Sequence, residues 1–496
     1  MRSMLIRWAK RLFALLAVVA VTFLAVRVWD TERGPPLHIW HTYVPHELSA
    51  KEIDAADWTQ YLEAEARIFD ALRREVSQEL DPEDRAPVNR YFAGSPVYPA
   101  HFEQDWNRSY VLEPNGTPAG AVVLLHGLTD SPYSLRHIAR LYRDHGFVVV
   151  AIRLPAHGTV PGALTKIEWE SWVAATRLAV REARRRIAAE SPLHVAGFSL
   201  GGALALKYAL DAIGDKDLKR PDRLVLMTPM IGITPFARIA GFAALPAVLP
   251  AFVKAAWLSV MPEFNPFKYN SFPVNGAQQS VRVADALQEQ IARNAREGKL
   301  VHLPPILTFQ SAVDFTVSTS AIITALYARL PSNGSELVLF DVNRTVKFGP
   351  LLRSSADFSL SRILPEGPQK YRTTIITNTD AGTSEVSERV TEAGATTGTT
   401  RPLGLSFPPG VYSLSHVALP FPMTDSLYGL YPDPAEDFGI HLGQLAPRGE
   451  RNVLIVSMDA LLRISFNPFF PYVLGRIEEG IGGHAQGVSE NRAAVP

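Results

Sequence analysis

Between residues 120 and 340 the hydrophobic positions fall into short, nearly unbroken runs separated by longer stretches of mixed character. "GAVVLLHG", "FVVVAIRL", "LHVAG", "DRLVLMTP", "PPILTFQ" and "SELVLFDVN" read as strands with no polar face. Such strands need cover on both sides of a sheet, which is the signature of parallel pairing. Between them "YSLRHIARLYRDHG", "WESWVAATRLAVREARRRIAAE" and "LGGALALKYALDAIG" carry apolar residues at helical spacing. Strand and helix alternating in this way predict an α/β fold with a mostly parallel central sheet between helical layers.

Other stretches have different patterns. Arg2, Arg7, Lys10 and Arg11 precede "LFALLAVVAVTFLAV", fifteen residues from Leu12 to Val26 without a charge. A basic flank before an apolar run is the pattern of a signal sequence or signal anchor. The run is short of the ~20 residues that span a bilayer, and Val28 and Trp29 extend it if Arg27 snorkels. Large residues and an arginine occupy the region where a cleavage site needs small ones. The expectation is an uncleaved anchor over 1–29, its basic end in the cytoplasm and the body outside (periplasmic in a bacterium), with a cleaved signal as the alternative. Residues 30–104 read as a helical extension, with Trp58, Leu62, Phe69, Leu72, Val76 and Leu80 on one helix face packed against the body, then a Pro- and aromatic-containing linker.

The core is expected over 105–228 and 304–344, interrupted by a helical cap at 229–303. Within the cap, Phe236 to Trp257 is apolar and broken by Pro246 and Pro250, which fits helices over an apolar pocket better than a second membrane span. The Thr-rich stretch 345–405 reads as an exposed insertion, partly β and partly loose. Residues 406–480 close the core and extend it, and 481–496 read as a disordered tail.

Composition narrows the function. Lys+Arg and Asp+Glu both number 49, so nothing favours a nucleic-acid partner. Cysteine is absent, which excludes disulfides, thiolate metal sites and a cysteine nucleophile. The histidines do not pair at metal-ligand spacing and no Gly-rich phosphate loop is present, so no cofactor and no metal are expected.

One short stretch carries chemistry. "GFSLGG" matches G-x-S-x-G with Gly197, Ser199 and Gly201. Composition alone yields such a pentapeptide in a chain of this length about one time in six, so context decides. Here an apolar strand precedes the serine and a helix follows it, the arrangement that holds a nucleophilic serine out on a strained turn. Acyl transfer also needs two N–H groups for the oxyanion. Leu200, directly after the serine, is one candidate. Leu128 is the other, in the loop "HGLTDSP", where Gly127 lets the backbone turn inward and His126 shapes the loop without acting as base. The chain order of this architecture is serine, acid, histidine. Asp314 follows the strand "PPILTFQ" and is the first choice of acid, with Asp341 second. Only His416, His441 and His484 lie beyond Asp314. His416, in a short β-prone run, is the first choice of base, with His441 in reserve and His484 in the tail.

The set "LLHGLTDSP", "RLPAHG", "WESW", "GFSLGG", "QSAVDFTV" and "SHV" resembles the α/β-hydrolase superfamily, closest to its monoacylglycerol lipase and bacterial carboxylesterase branch. The likeness covers roughly 105–345 and 406–430. It implies a Ser199–Asp314–His416 triad, Leu128 and Leu200 at the oxyanion, and carboxylic ester substrates, lipid-derived esters with an apolar acyl chain among them. Two departures stand out. Ala156 occupies a position where relatives more often have glycine, and 102 positions separate Asp314 from His416. The readings to separate are ester hydrolysis, acyl transfer to another alcohol by the same triad, and a membrane-tethered scaffold that has lost turnover.

Overall fold

All six residues of the strand Gly120–Leu125 are buried, and consecutive side chains enter different cores. Ala121, Val123 and Leu125 join one cluster with Trp172, Leu204 and Ile291, while Val122 and Leu124 join another with Ile138, Tyr142 and Phe469. Side chains alternate across a strand, so an unbroken apolar run requires two covered faces.

The computed structural model describes residues 2–232, 246–247, 250–345, 364–444 and 463–493. Its strands are β1 (Tyr110–Leu112), β2 (Gly120–Leu125), β3 (Phe147–Ile152), β4 (Leu193–Phe198), β5 (Arg223–Met227), β6 (Trp257–Ser259), β7 (Phe272–Pro273), β8 (Ile306–Ser311), β9 (Glu336–Phe340), β10 (Arg372–Asn378), β11 (Glu385–Thr391) and β12 (Thr399–Ser406). The principal helices are α1 (Arg2–Arg33), α2 (Ala50–Ala55), α3 (Trp58–Leu72), α4 (Arg136–Asp144), α5 (Trp169–Arg185), α6 (Leu200–Gly214), α7 (Val274–Arg296) and α8 (Phe470–Ala493). One sheet runs β1-β3-β2-β4-β5-β8-β9-β10-β11-β12, and β6 and β7 form a separate two-stranded piece. Pairing is parallel from β3 through β10, with β1 antiparallel at one edge and β11 and β12 antiparallel at the other.

Several expectations need correction. The Thr-rich stretch is not an excursion from the core, because β10 pairs with β9 and β11 and β12 prolong the same sheet. Thr373 and Thr374 are buried, and the Thr374 hydroxyl donates to Glu336 Oε1 at 2.7 Å. Threonine is β-branched and suits a strand once its hydroxyl is satisfied. Three strands thus follow β9 in the chain. Residues 81–104 are no linker, since Asn89, Arg90, Tyr91 and Val97 are buried against the body. Helix α7, placed in the cap by the sequence, lays Val283, Leu287 and Ile291 into the main core. Helix α8 runs to Ala493, through most of the segment expected to be disordered. Much of the apolar cap, 236–245 and 248–249, lies outside the described residues, as does 346–363 of the Thr-rich stretch.

In the amino-terminal extension Trp58, Phe69, Val76 and Leu80 of the expected face are buried, Leu62 and Leu72 are half-buried, and Tyr61 and Ile68 are buried beside them. A carboxylate fixes the extension in place. Glu47 accepts from the buried Arg153 guanidinium at 2.8 and 3.0 Å and from Ala156 N–H at 2.9 Å. Ala156 sits at φ 68, the left-handed conformation that glycine adopts without strain. The Glu47 bond and one from Tyr269 OH to the Ala156 carbonyl hold that turn without a glycine.

Candidate active site

The turn between β4 and α6 leaves no room for side chains. Ser199 lies at φ 53, ψ −112, outside the ordinary regions for an L-residue. Its N–H donates to Met227 O at 2.9 Å, and its C=O accepts from Ala203 N–H and Met230 N–H at 3.2 and 3.0 Å. A Cβ at Gly197 would lie 2.2 Å from Gly201 O, and one at Gly201 only 1.9 Å from Leu125 O. Glycine is obligatory at both places because the helix start is pressed onto its own strand and onto β2. Strain of this kind costs about 1–3 kcal/mol and persists only where surrounding bonds over-determine it.

Asp314 follows β8 and caps its own loop. Its Oδ1 accepts from Thr316 N–H and Val317 N–H at 2.8 and 3.0 Å, and its Oδ2 from Gln310 Nε2 at 3.2 Å. His416 lies in a short 3₁₀ turn, His416–Ala418, and not in the β-prone run read from the sequence. Its arrival there resolves the long gap. After β12 the chain returns to the carboxyl end of β9, where Asn343 N–H donates to Tyr412 O at 2.6 Å and Asn343 Nδ2 to Val411 O at 2.8 Å. Ser311 Oγ then donates to Leu414 O at 2.9 Å, two residues short of the histidine. Strands β10 to β12 are therefore an out-and-back detour.

The three side chains form one hydrogen-bonded chain. His416 Nδ1 is 2.9 Å from Asp314 Oδ2, and His416 Nε2 is 2.9 Å from Ser199 Oγ. All three are largely buried, with Ser199 7% and His416 5% exposed. Burial raises the Asp314 carboxyl, yet the bond and charge of His416 and the N–H groups of Val317 and Thr316 outweigh it and hold Asp314 below its ordinary value. An ionised Asp314 accepts a hydrogen bond from Nδ1–H and so keeps the proton on that nitrogen, leaving the Nε2 lone pair to accept from the Ser199 hydroxyl.

The loop after β2 abuts the serine. A Cβ at Gly127 would come within 3.1 Å of the Phe198 ring and 3.4 Å of Ser199 Cβ. His126 Nε2 accepts from Leu154 N–H at 3.0 Å, so its proton is on Nδ1, 2.9 Å from Gly127 O. Burial, with His157 alongside, pushes the His126 imidazole well below its ordinary value, and it stays neutral. The N–H groups of Leu128 and Leu200 have no acceptor among the described residues.

The second choices lie elsewhere. Asp341 accepts from Arg344 and Thr377, and His441 Nδ1 is 3.0 Å from Ser426 O. His484 is on α8, and its side chain is outside the described residues. Among the described residues no group of three or more His, Cys, Asp or Glu side chains is placed to hold a metal ion. Glu47 went unread because its partners Arg153 and Ala156 lie 106 and 109 positions away. Gln310 stands inside "QSAVDFTV", four residues before the acid it bonds, and that spacing was the signal that could have found it.

A model of the alpha/beta hydrolase family matches residues 122–397, more than half of the chain. The chain belongs to the alpha/beta hydrolase family. It is 34% identical over 92 residues to a thermostable monoacylglycerol lipase of Bacillus sp. (strain H-257), a stretch covering 18% of this chain and 35% of that one. The match thus spans about a third of the relative's length. Among solved structures, one chain from work on LipS and LipT, two metagenome-derived lipolytic enzymes, aligns over 52% of this chain and 97% of its own at 19% identity and a TM-score of 0.38. A soluble variant of monoglyceride lipase from Saccharomyces cerevisiae aligns over 47% of this chain and 82% of its own at 15% identity, TM-score 0.36.

Proposed function

We propose that this alpha/beta hydrolase cleaves carboxylic esters through Ser199, His416 and Asp314. The observation that carries the reading is the unbroken Asp314–His416–Ser199 hydrogen-bond chain, ending on a serine held at φ 53. In this reading Ser199 Oγ attacks the ester carbonyl carbon while its proton passes to His416 Nε2. The carbonyl oxygen becomes an oxyanion that accepts from Leu128 N–H and Leu200 N–H. Collapse of the tetrahedral adduct breaks the bond to the alkoxide, which leaves with the proton from His416. Water then attacks the acyl-serine by the same route and releases the acid. Asp314 remains ionised throughout, orienting the imidazole and balancing its transient charge.

The match to a monoacylglycerol lipase supports a lipid-derived ester as substrate. The amino-terminal helix supports delivery from a membrane: Met4–Arg33 is long and apolar enough to cross one, and a signal sequence meets the same description. In the anchored reading α1 stays attached. Its Arg27 guanidinium donates to Trp257 O, and Lys254 Nζ reaches Glu32 O at 3.4 Å, so the helix end rests on the body.

The test is acid quenching of the full chain in detergent during turnover of a glyceryl ester, followed by peptide mass analysis. Acyl on Ser199 with free fatty acid as product supports the reading. Fatty acid without acyl on Ser199 contradicts the mechanism, and acyl passed mainly to added alcohol makes the protein a transferase. Intact protein mass from the membrane fraction decides whether α1 is retained.

A further inference from the structure

The Asp425 carboxylate is fully buried and accepts from five donors. Arg136 Nη1 lies 2.5 Å from it, His137 Nε2 and the Tyr133 hydroxyl each 2.9 Å, Leu427 N–H 3.0 Å and Tyr428 N–H 2.8 Å. Burial and the neighbouring Arg136 push the His137 imidazole down to about 4, so it is neutral near pH 7 and donates its Nε2 proton. Five donors to one carboxylate exceed what a buried charge needs for satisfaction.

The donors fall into two groups. Tyr133, Arg136 and His137 follow directly on the loop that carries Leu128. Successive turn bonds, Asp130 N–H to Gly127 O at 3.3 Å and Ser134 N–H to Ser131 O at 3.2 Å, stiffen the stretch between them. Leu427 and Tyr428 belong to the segment that begins at His416. Phe421 N–H to Ala418 O and Asp425 N–H to Pro422 O, both 3.1 Å, carry that segment from the histidine turn to the carboxylate. Glu436 adds an outer tie, accepting from Arg136 at 3.2 Å, Arg140 at 2.6 Å and Ser426 at 2.9 Å. Tyr133 is also stacked on Phe267, with ring centroids 4.2 Å apart.

We propose that Asp425 is a positioning residue that fixes the loop bearing Leu128 relative to His416 and Ser199, setting where the reaction's oxyanion is bound. The proposal rests on the reading of Ser199, His416 and Leu128 given above. The physical argument is one of distance. The detour through β10–β12 leaves the histidine segment no short covalent tie to the loop after β2, and an N–H misplaced by about 1 Å costs up to a hundredfold in rate. One carboxylate bonded to both segments supplies that tie.

The test uses the full chain in detergent with Asp425→Asn and Tyr133→Phe. Active sites are counted with a fluorophosphonate, so that misfolded protein drops out of kcat. KM and the inhibition constant of a trifluoromethyl ketone, which adds to the serine and forms an oxyanion, are measured alongside. The expected result for Asp425→Asn is a kcat per labelled site down about tenfold to a hundredfold, KM within about twofold, and a ketone constant raised in proportion. Tyr133→Phe keeps the ring and removes one bond, and the same pattern is expected at about fivefold. A kcat per labelled site equal to the parent's in every variant that folds, with only the melting temperature lowered, overturns the proposal. If Asp425→Asn does not fold, Tyr133→Phe decides. A parent that neither labels at Ser199 nor turns over esters contradicts the functional reading itself and takes this inference with it.

Discussion

The two halves of the sheet solve burial differently. In β2, β3 and β4 every residue is buried, and apart from His194 the strands are apolar, as a parallel sheet covered on both faces requires. Past β9 exposure grows strand by strand, until β12 is mostly exposed and carries Pro402 and Gly404. Two polar side chains enter the sheet there with partners: Thr374 on Glu336, and Thr377 on Asp341 at 2.9 Å. The serine is built by the first half, the histidine is returned by the second, and the acid stands at the boundary. Local packing accordingly fixes the geometry of Ser199, and long-range hydrogen bonds fix that of His416.

The largest expected effect is at the junction of the halves. Ser199→Ala and His416→Ala should each lower kcat about a millionfold if the two act as one unit, measured by stopped assays on matched concentrations of folded protein. A much smaller loss in His416→Ala would detach the second half from the chemistry. Next comes one added methyl in each half. Gly201→Ala drives a Cβ into Leu125 O and should destabilise by about 4 kcal/mol or more, or prevent folding. Gly404→Ala has open space around it and only the strain of φ +66 to bear, about 1–2 kcal/mol. Urea midpoints of the two variants compare the halves directly. Equal costs would refute the contrast.

A buried polar group gives a third comparison. Thr374→Val removes one donor from Glu336, which keeps Arg476, and should cost about 1 kcal/mol. In the first half the odd group is Asp130, whose carboxyl burial raises to about 6. Between the ordinary carboxylate value and about 6 the folded chain therefore holds a proton that the unfolded chain has lost. Stability falls as pH rises through that window, and Asp130→Asn should flatten this part of the profile. Asp314 acts with the opposite sign. Its lowered value contributes stability above the unfolded carboxyl range, and this is lost as pH falls through the folded value. The smallest expected change is a gain: Ala156→Gly relieves φ 68 and should raise the urea midpoint by up to about 1 kcal/mol equivalent.

How much of this could be read from the chain follows the same division. Ser199 announces itself within twenty residues, because strand, turn and helix are contiguous and glycines mark the tight spots. Asp314 needs only the strand before it. His416 is reached through chain order and the small number of histidines left, and its local pattern misleads, because a β-prone run became a 3₁₀ turn. The course of β10 is hidden because threonines look like surface until Glu336 and Asp341 are known to satisfy them. Glu47 and Asp425 are invisible for a related reason: the partners of Glu47 lie 106 to 109 positions away, and the side-chain donors to Asp425 lie 288 to 292 away. Periodicity reports which face is buried, and carries no information about which distant polar group will meet it.

The most direct test of the central claim is the rate of fluorophosphonate labelling of the full chain in detergent, with the modified residue mapped, in the parent, His416→Ala and His441→Ala. The account predicts label on Ser199 in the parent, an unchanged rate in His441→Ala, and near loss in His416→Ala. Label on another residue, or a parent-like rate in His416→Ala, would contradict it.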